Sequence, residues 1–121
     1  MRYMFLIYSR ETEEELSPEE LEGLRNGHRS VMTESAQRGA LCSYDKLHPS
    51  TTATTVRIYD GKAITTDGPF AETKEQLAGY YILECKDLDE AIEWARRIPT
   101  ECQGAPGGIE IRPIVELPKS G

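Results

Sequence analysis

Cysteine, histidine, basic charge and long apolar runs are all scarce in this chain, and each scarcity excludes something. The three cysteines (Cys42, Cys85, Cys102) are odd in number and widely spaced, with no CxxC. Neither a disulfide framework nor a zinc site is expected, and a reducing cytoplasm is the expected compartment. The two histidines, His28 and His48, lack any helical metal-ligand spacing. Lysine and arginine number 14 against 21 acidic residues, a net charge of −7. A nucleic-acid binder neutralises phosphates with a basic face, so no nucleic-acid partner is expected. The longest apolar stretch, Tyr3 to Tyr8, is far short of the ~20 residues a spanning helix needs. No small-residue cleavage site follows it, so neither a membrane partner nor secretion is expected.

What is present suits one modest domain over residues 1–121. Hydrophobic residues are 38% and charged residues 29% of the 121, a balance that supports a single core without disulfides or metal. Arg2 to Tyr8 reads as a strand. Ser17-Pro18-Glu19-Glu20 opens a helix, with Ser17 as N-cap, Pro18 at the first helical position and Glu20 closing a capping box. That helix runs to about Arg38 on a stripe of Leu21, Leu24, Val31, Met32 and Ala36, and Gly39 stops it. His28 falls within the stripe, four residues from both Leu24 and Met32.

Ala40 to Leu47 is read as a strand, broken by His48-Pro49-Ser50. Two β-branched runs, Thr54 to Tyr59 and Lys62 to Thr66, flank Asp60-Gly61. That pattern specifies a hairpin, because both central residues of a type I′ turn need positive φ. Asp67-Gly68-Pro69-Phe70 ends it with a tight turn, and Ala71 to Gln76 is expected to form one helical turn. A strand over Ala78 to Cys85 leads to a second helix opened by Asp87-Leu88-Asp89-Glu90, with Leu88, Ala91, Ile92, Ala95 and Ile98 on one face and Pro99 at its end. Gly104 to Gly108 is a link with no following Gly-Lys-Ser/Thr, so it is no phosphate loop, and no cofactor or metal is expected. Ile109 to Leu117 alternates as a half-buried strand.

The order β-α-β, hairpin, β-α-β predicts an α+β fold: a ferredoxin-like split βαβ subunit with a β-hairpin insertion, its two helices on one face of an antiparallel sheet. Two strands are nevertheless apolar on both faces. Tyr3, Phe5 and Ile7 oppose Met4, Leu6 and Tyr8, and Tyr81 and Leu83 oppose Tyr80 and Ile82. Two helices cover only one side, and monomers seldom expose so large an apolar face. A second copy about a two-fold axis, giving a homodimer, is the simplest cover.

His28 is the leading candidate for chemistry. A histidine within an apolar stripe is commonly a satisfied core residue; the functional alternative is a general acid or base poised near neutrality and oriented by a carboxylate. Asp67 is the candidate partner, although Asp before Gly-Pro is also ordinary turn chemistry. Arg57, with Arg112 and Lys74, is a candidate contact for an anionic ligand, against the commoner reading of a solvated or ion-paired charge. Tyr8, Tyr80 and Tyr81 are candidates to line a pocket for an aromatic ligand, or equally to form interface core. His48 and the acidic run Glu11 to Glu15 read as loop.

Asp67-Gly68-Pro69-Phe70 stands with Ala53 to Arg57, Ala71 to Leu77, Asp89 to Ala95 and Ile111-Arg112-Pro113. Together these blocks resemble the DGPF branch of the YCII-related proteins over nearly the whole chain. The resemblance implies a dimeric α/β barrel of ferredoxin-like subunits, with a cleft in which a helix-1 histidine, here His28, acts with an acidic residue. It also implies a family mostly without established function, in which a few relatives dehydrochlorinate hydroxylated aromatic rings and DGPF members often accompany extracytoplasmic-function sigma factors. In the enzyme-like branch an Asp-Pro tends to follow helix 2, where this chain reads Ile98-Pro99-Thr100. The chain therefore either lacks the dyad or completes it with Asp67. Two functions follow: a small cofactor-independent acid/base catalyst, lyase- or dehydrochlorinase-like, acting on an unidentified small molecule; or a non-catalytic ligand-sensing or protein-interaction module, linked to sigma-factor regulation.

Overall fold

The computed structural model describes residues 1–11, 16–100 and 107–118. Cys102, the 104–106 part of the glycine-rich link and the 12–15 part of the acidic run lie outside the described residues. The elements are β1 (Arg2–Arg10), α1 (Pro18–Gln37), β2 (Leu41–Lys46), a 3₁₀ turn at Ser50–Thr52, β3 (Thr54–Tyr59), β4 (Lys62–Asp67), β5 (Glu75–Glu84), α2 (Leu88–Ala95) and β6 (Gly107–Pro113). Four strands form an antiparallel sheet in the order β2-β5-β1-β6, while β3 and β4 pair only with each other. This is the expected α+β, ferredoxin-like arrangement, with the hairpin inserted between β2 and β5.

The ends of the helices are fixed by the residues the sequence offered. The Ser17 hydroxyl accepts from the Glu20 N–H (3.1 Å) and the Glu20 carboxylate accepts from the Ser17 N–H (3.3 Å), completing the capping box at α1. At its other end the Gly39 and Ala40 N–H groups donate to the Ala36 and Ser35 carbonyls (3.0 and 2.8 Å), a Schellman stop. The Asp87 carboxylate caps α2 by accepting from the Glu90 N–H at 2.9 Å. In the hairpin, Asp60 and Gly61 take φ of 50° and 75°, the type I′ geometry that their side chains permit.

One face of the sheet meets the helices and forms the core: Tyr3, Phe5 and Ile7 from β1, Tyr81 and Leu83 from β5, Val31 from α1, and Ala91, Trp94 and Ile98 from α2 and its exit. On the other face the register sets Met4 opposite Ile82 and Leu6 opposite Tyr80, with Asp45, Glu110 and Arg112 at the margins of the same rows.

Four expectations are corrected. Strand β6 ends at Pro113, not Leu117, and Val115 and Leu117 are 77% and 78% exposed. The Ile114 N–H still donates to the Arg2 carbonyl (2.9 Å), but β1 starts there, so no strand remains for later residues to pair with. Ala71 to Gln76 is not a helical turn: β5 already begins at Glu75, and the Gln76 amide closes the preceding bend by donating to the Ala71 and Thr73 carbonyls. Along α1 the buried stripe continues at Ser35 rather than Ala36; the Ser35 hydroxyl is satisfied by the Met32 carbonyl at 3.2 Å. Helix α2 ends at Ala95, not at Pro99, and the buried face of the helix and its exit is Ala91, Trp94 and Ile98, leaving Leu88 52% exposed. Trp94 lies on that face, with the Arg38 and Arg97 guanidinium groups 5.2 and 5.1 Å from its ring centroid. The Glu34 carboxylate accepts from both arginines, tying the end of α1 to α2.

The middle of α1 is held to the loop after α2 by a close approach. A Cβ added at Gly27 would lie 2.6 Å from Pro99 Cγ, whereas one at Gly23 would meet nothing within 4 Å. Gly23→Ala therefore isolates the helix-propensity gain, about 0.5–1 kcal/mol. Gly27→Ala adds an overpacking cost of about 1–3 kcal/mol against the rigid proline ring. Urea denaturation should show Gly23→Ala more stable than wild type and Gly27→Ala less stable; equal stabilisation by both would refute the contact.

Candidate functional site

Directly opposite each other on β2 and β5, Tyr44 and Tyr81 share the helix side of the sheet, with ring centroids 4.4 Å apart. Helix α1 crosses over them and lowers His28 onto the pair. Its ring lies 5.7 Å from Tyr44 and 5.9 Å from Tyr81, nearly parallel to the latter at 19°. His28 Nδ1 and the Tyr81 hydroxyl are 2.8 Å apart, and that hydroxyl is also 3.5 Å from the His28 carbonyl oxygen. Tyr81 is wholly buried and His28 half-buried. Nδ1 is therefore engaged, and Nε2 is the ring atom left for a ligand.

Both groups are tuned by burial. It pushes the Tyr81 phenol well above its ordinary range, reinforced by Tyr44, so this hydroxyl keeps its proton at any physiological pH. Burial, and secondarily the Lys46 ammonium, holds the His28 imidazole below its ordinary 6.5. The ring is accordingly neutral at pH 7.

His28 faces a cleft of about 450 Å³ between α1 and the β1-β5-β2 part of the sheet. Leu21, Leu24 and Met32 of α1 and Ile7 of β1 make its walls apolar, and Pro99 and Thr100 close one end. The Ser9 hydroxyl, donating to the Thr100 carbonyl, fastens that end to β1. Arg25, Arg29 and Lys46 also line the cleft.

Of the residues singled out from sequence, His28 and Tyr81 are brought together. Asp67 is the last residue of β4, exposed and paired with Thr54; no hydrogen bond joins it to His28, and it does not line the cleft. Arg57 also sits on the hairpin, its guanidinium 4.4 Å over the Phe70 ring. Tyr8 lies on the sheet beside Lys74, Glu75 and Ile109, in a separate shallow depression. Tyr80 is on the face away from the helices, donating to Asp45 at 2.6 Å, and Arg112 approaches Glu110 at 3.9 Å. His48 lines a hollow beneath the hairpin with Leu47, Pro49 and Phe70. Tyr44, Lys46 and Arg25 were not anticipated. Helical spacing does place Arg25 one turn before His28, but Tyr44 and Lys46 enter only through the register of β2 against β5. Among the described residues no group of three or more His, Cys, Asp and Glu is arranged to hold a metal ion.

The family model described as the YCII-related domain matches residues 1–118. An uncharacterised protein of Rhizobium meliloti (strain 1021) is 38% identical over 115 residues, covering 94% of this chain and 92% of that one.

The electrostatics of the cleft carry a titration signature. A histidine whose folded pKa is depressed leaves the unfolded chain binding more protons, so its contribution to stability is full above about pH 6.5 and is lost as pH falls below it. NMR titration should place His28 below 6.5. Lys46→Met should raise the midpoint, with burial keeping it under 6.5; a midpoint unmoved by that substitution would contradict the arrangement.

Proposed function

The chain belongs to the YCII-related family, and from that premise we propose that it is a cytoplasmic homodimer, of the DGPF branch and one domain long, that binds a small molecule beside His28 and moves a proton with that residue. The observation that carries this reading is the His28–Tyr81 hydrogen bond at the back of an apolar-walled cleft. With Nδ1–H donating to the Tyr81 oxygen, and the Tyr81 hydroxyl turned toward the His28 carbonyl, Nε2 keeps its lone pair and serves as a general base. The lowered pKa keeps that lone pair free at neutral pH. Tyr81 thus orients the ring, the part that a carboxylate plays in a dyad; no hydrogen bond joins Asp67 to it. The step needs no cofactor: the imidazole takes a proton from an activated carbon or hydroxyl of the ligand, and the electron pair of that bond forms a new double bond as the bond to the leaving group breaks. The leaving group (chloride in a dehydrochlorination) departs with its pair, and the imidazolium releases the proton to water.

The second copy covers the sheet face that the helices leave open. Met4, Leu6, Tyr80 and Ile82 form a contiguous apolar centre there, the anatomy of an interface core, with charged residues at its margins. The free thiols at Cys42 and Cys85 are compatible with a reducing compartment, and among the described residues no helix is long and apolar enough to cross a membrane.

Sedimentation should give twice the 13.6 kDa chain mass. Leu6→Glu, which places a charge at the centre of the open face, should halve that value without changing the circular dichroism. A monomeric wild type at micromolar concentration would refute the dimer. For the site, a thermal-shift screen of metabolites on wild type and His28→Ala should find ligands that stabilise the wild type and either act as substrates or lose binding in the variant. Turnover surviving in His28→Ala would remove His28 from the chemistry.

A further inference from the structure

The charges around the cleft run opposite to those of the chain. The protein carries seven more acidic than basic residues, yet the cleft is lined by Arg25, Arg29 and Lys46 and by no aspartate or glutamate among the described residues. Some cations elsewhere are matched, Arg2 with Glu116, Arg38 and Arg97 with Glu34, Arg96 with Glu93, whereas others on the open surface, such as Lys62 and Lys86, have no ion pair among the described residues. Among the described residues the side chains of Arg25 and Lys46 have no hydrogen-bond or ion-pair partner, and Arg29 meets only the Asn26 amide oxygen at 3.2 Å. Three like charges beside an apolar wall give the cleft a positive potential, moderated by their exposure, that an anion would complement.

The shape of the site narrows the anion. Most of the lining is apolar, and the volume suits a ligand of one ring or a short chain. Helix α1 presents its side over three turns, not its N-terminus, so the donors offered are a guanidinium fork and an ammonium rather than free backbone amides. A guanidinium can grip either a carboxylate or a phosphate bidentately, but the mostly apolar lining favours the singly charged carboxylate on an apolar body over a more heavily hydrated, doubly charged phosphate. The imidazole also lacks a carboxylate to balance the positive charge it acquires as a base. A bound anion would supply that balance.

We propose that the cleft takes a small organic carboxylate with an aromatic or short apolar body: Lys46 and Arg25 meet the carboxylate, Leu21, Leu24 and Met32 cover the body, and the ligand's own charge supports protonation of His28. This deepens, and rests on, the reading of the cleft as a small-molecule site. Every titratable or charged group lining the cleft or packed on the ring takes part in the expected pH behaviour: Arg25 and Arg29 from α1, Lys46 and Tyr44 from β2, and Tyr81 from β5.

Benzoate and its neutral counterpart benzyl alcohol are the probes, followed by NMR of the His28 ring and the Met32 amide in the full-length protein. Benzoate should shift both signals saturably and bind at least about tenfold more tightly than benzyl alcohol, a difference of about 1.4 kcal/mol. Lys46→Gln and Arg25→Gln, both at exposed side chains, should each weaken benzoate by about three- to tenfold, the range for a partly exposed charge pair, and leave benzyl alcohol unchanged. Bound benzoate should raise the His28 midpoint. Equal affinity for the two probes, or benzoate binding indifferent to both substitutions, would overturn the proposal. Benzyl alcohol shifting His28 while benzoate does not would remove the anion and leave the small-molecule site standing. Silence from both at about 20 mM would remove both readings.

Discussion

Strand β5 lies between β1 and β2, and its register against both neighbours decides what each face of the sheet carries. Tyr81 meets Phe5 on one side and Tyr44 on the other, so three aromatic rings share one row under α1. Tyr80 and Ile82, one residue to either side, point the other way and fill the open face. Because strand side chains alternate, these two outcomes are inseparable. A one-residue slip of β5 would at once remove the hydroxyl from beneath His28 and place the apolar patch against the helices. The site and the proposed interface are two readings of a single pairing.

The chemistry of the cleft is set by what it omits. A histidine paired with a carboxylate gains basicity from the neighbouring negative charge; here the partner is a neutral phenol with no tendency to ionise, and the charge that acts on the ring is the Lys46 ammonium. The ring is thus a weaker base than a dyad would make it, but one that is unprotonated throughout the neutral range. Orientation comes from stacking on Tyr81 and from the Nδ1 contact, both anchored in the core and not in a loop. Packing therefore fixes the position of the imidazole, and its burial, with the Lys46 charge second, keeps it unprotonated.

Local features were legible in the sequence and long-range ones were not. Ser17 with Glu20, Asp87 with Glu90 and Asp60-Gly61 each act within a few residues, and each appears where its chemistry directs. The two-faced character of β1 and β5 was likewise visible as unbroken apolar runs. The errors share another cause. Strand β6 stops at Pro113 because β1 has no residues left to pair with, a fact about a strand more than a hundred positions away. Trp94, and not Leu88, is buried in α2, packed in the core and met by Arg38 from the end of the other helix. His28 was recognisable from its place in the stripe, whereas its partner depended on cross-strand register, which no spacing along the chain reveals. Asp67 was attractive as an acid in a defined turn, but that turn belongs to a hairpin outside the sheet that carries the site.

That hairpin has a consequence for how the molecule loses structure. Its ladder is internal, from Thr54–Asp67 to Tyr59–Lys62, and its closing bonds, the Gly68 N–H to the Ala53 carbonyl and the Thr55 hydroxyl to the Gly68 carbonyl, stay within the same segment. Every one of them can break while the four-stranded sheet keeps all of its own. An isolated two-stranded unit in water is marginal, so its amides exchange with solvent through openings that cost far less than unfolding the core. Stability in this protein is therefore not one quantity: a shallow local equilibrium is grafted onto a deep global one, and a probe placed on the hairpin reads the former alone.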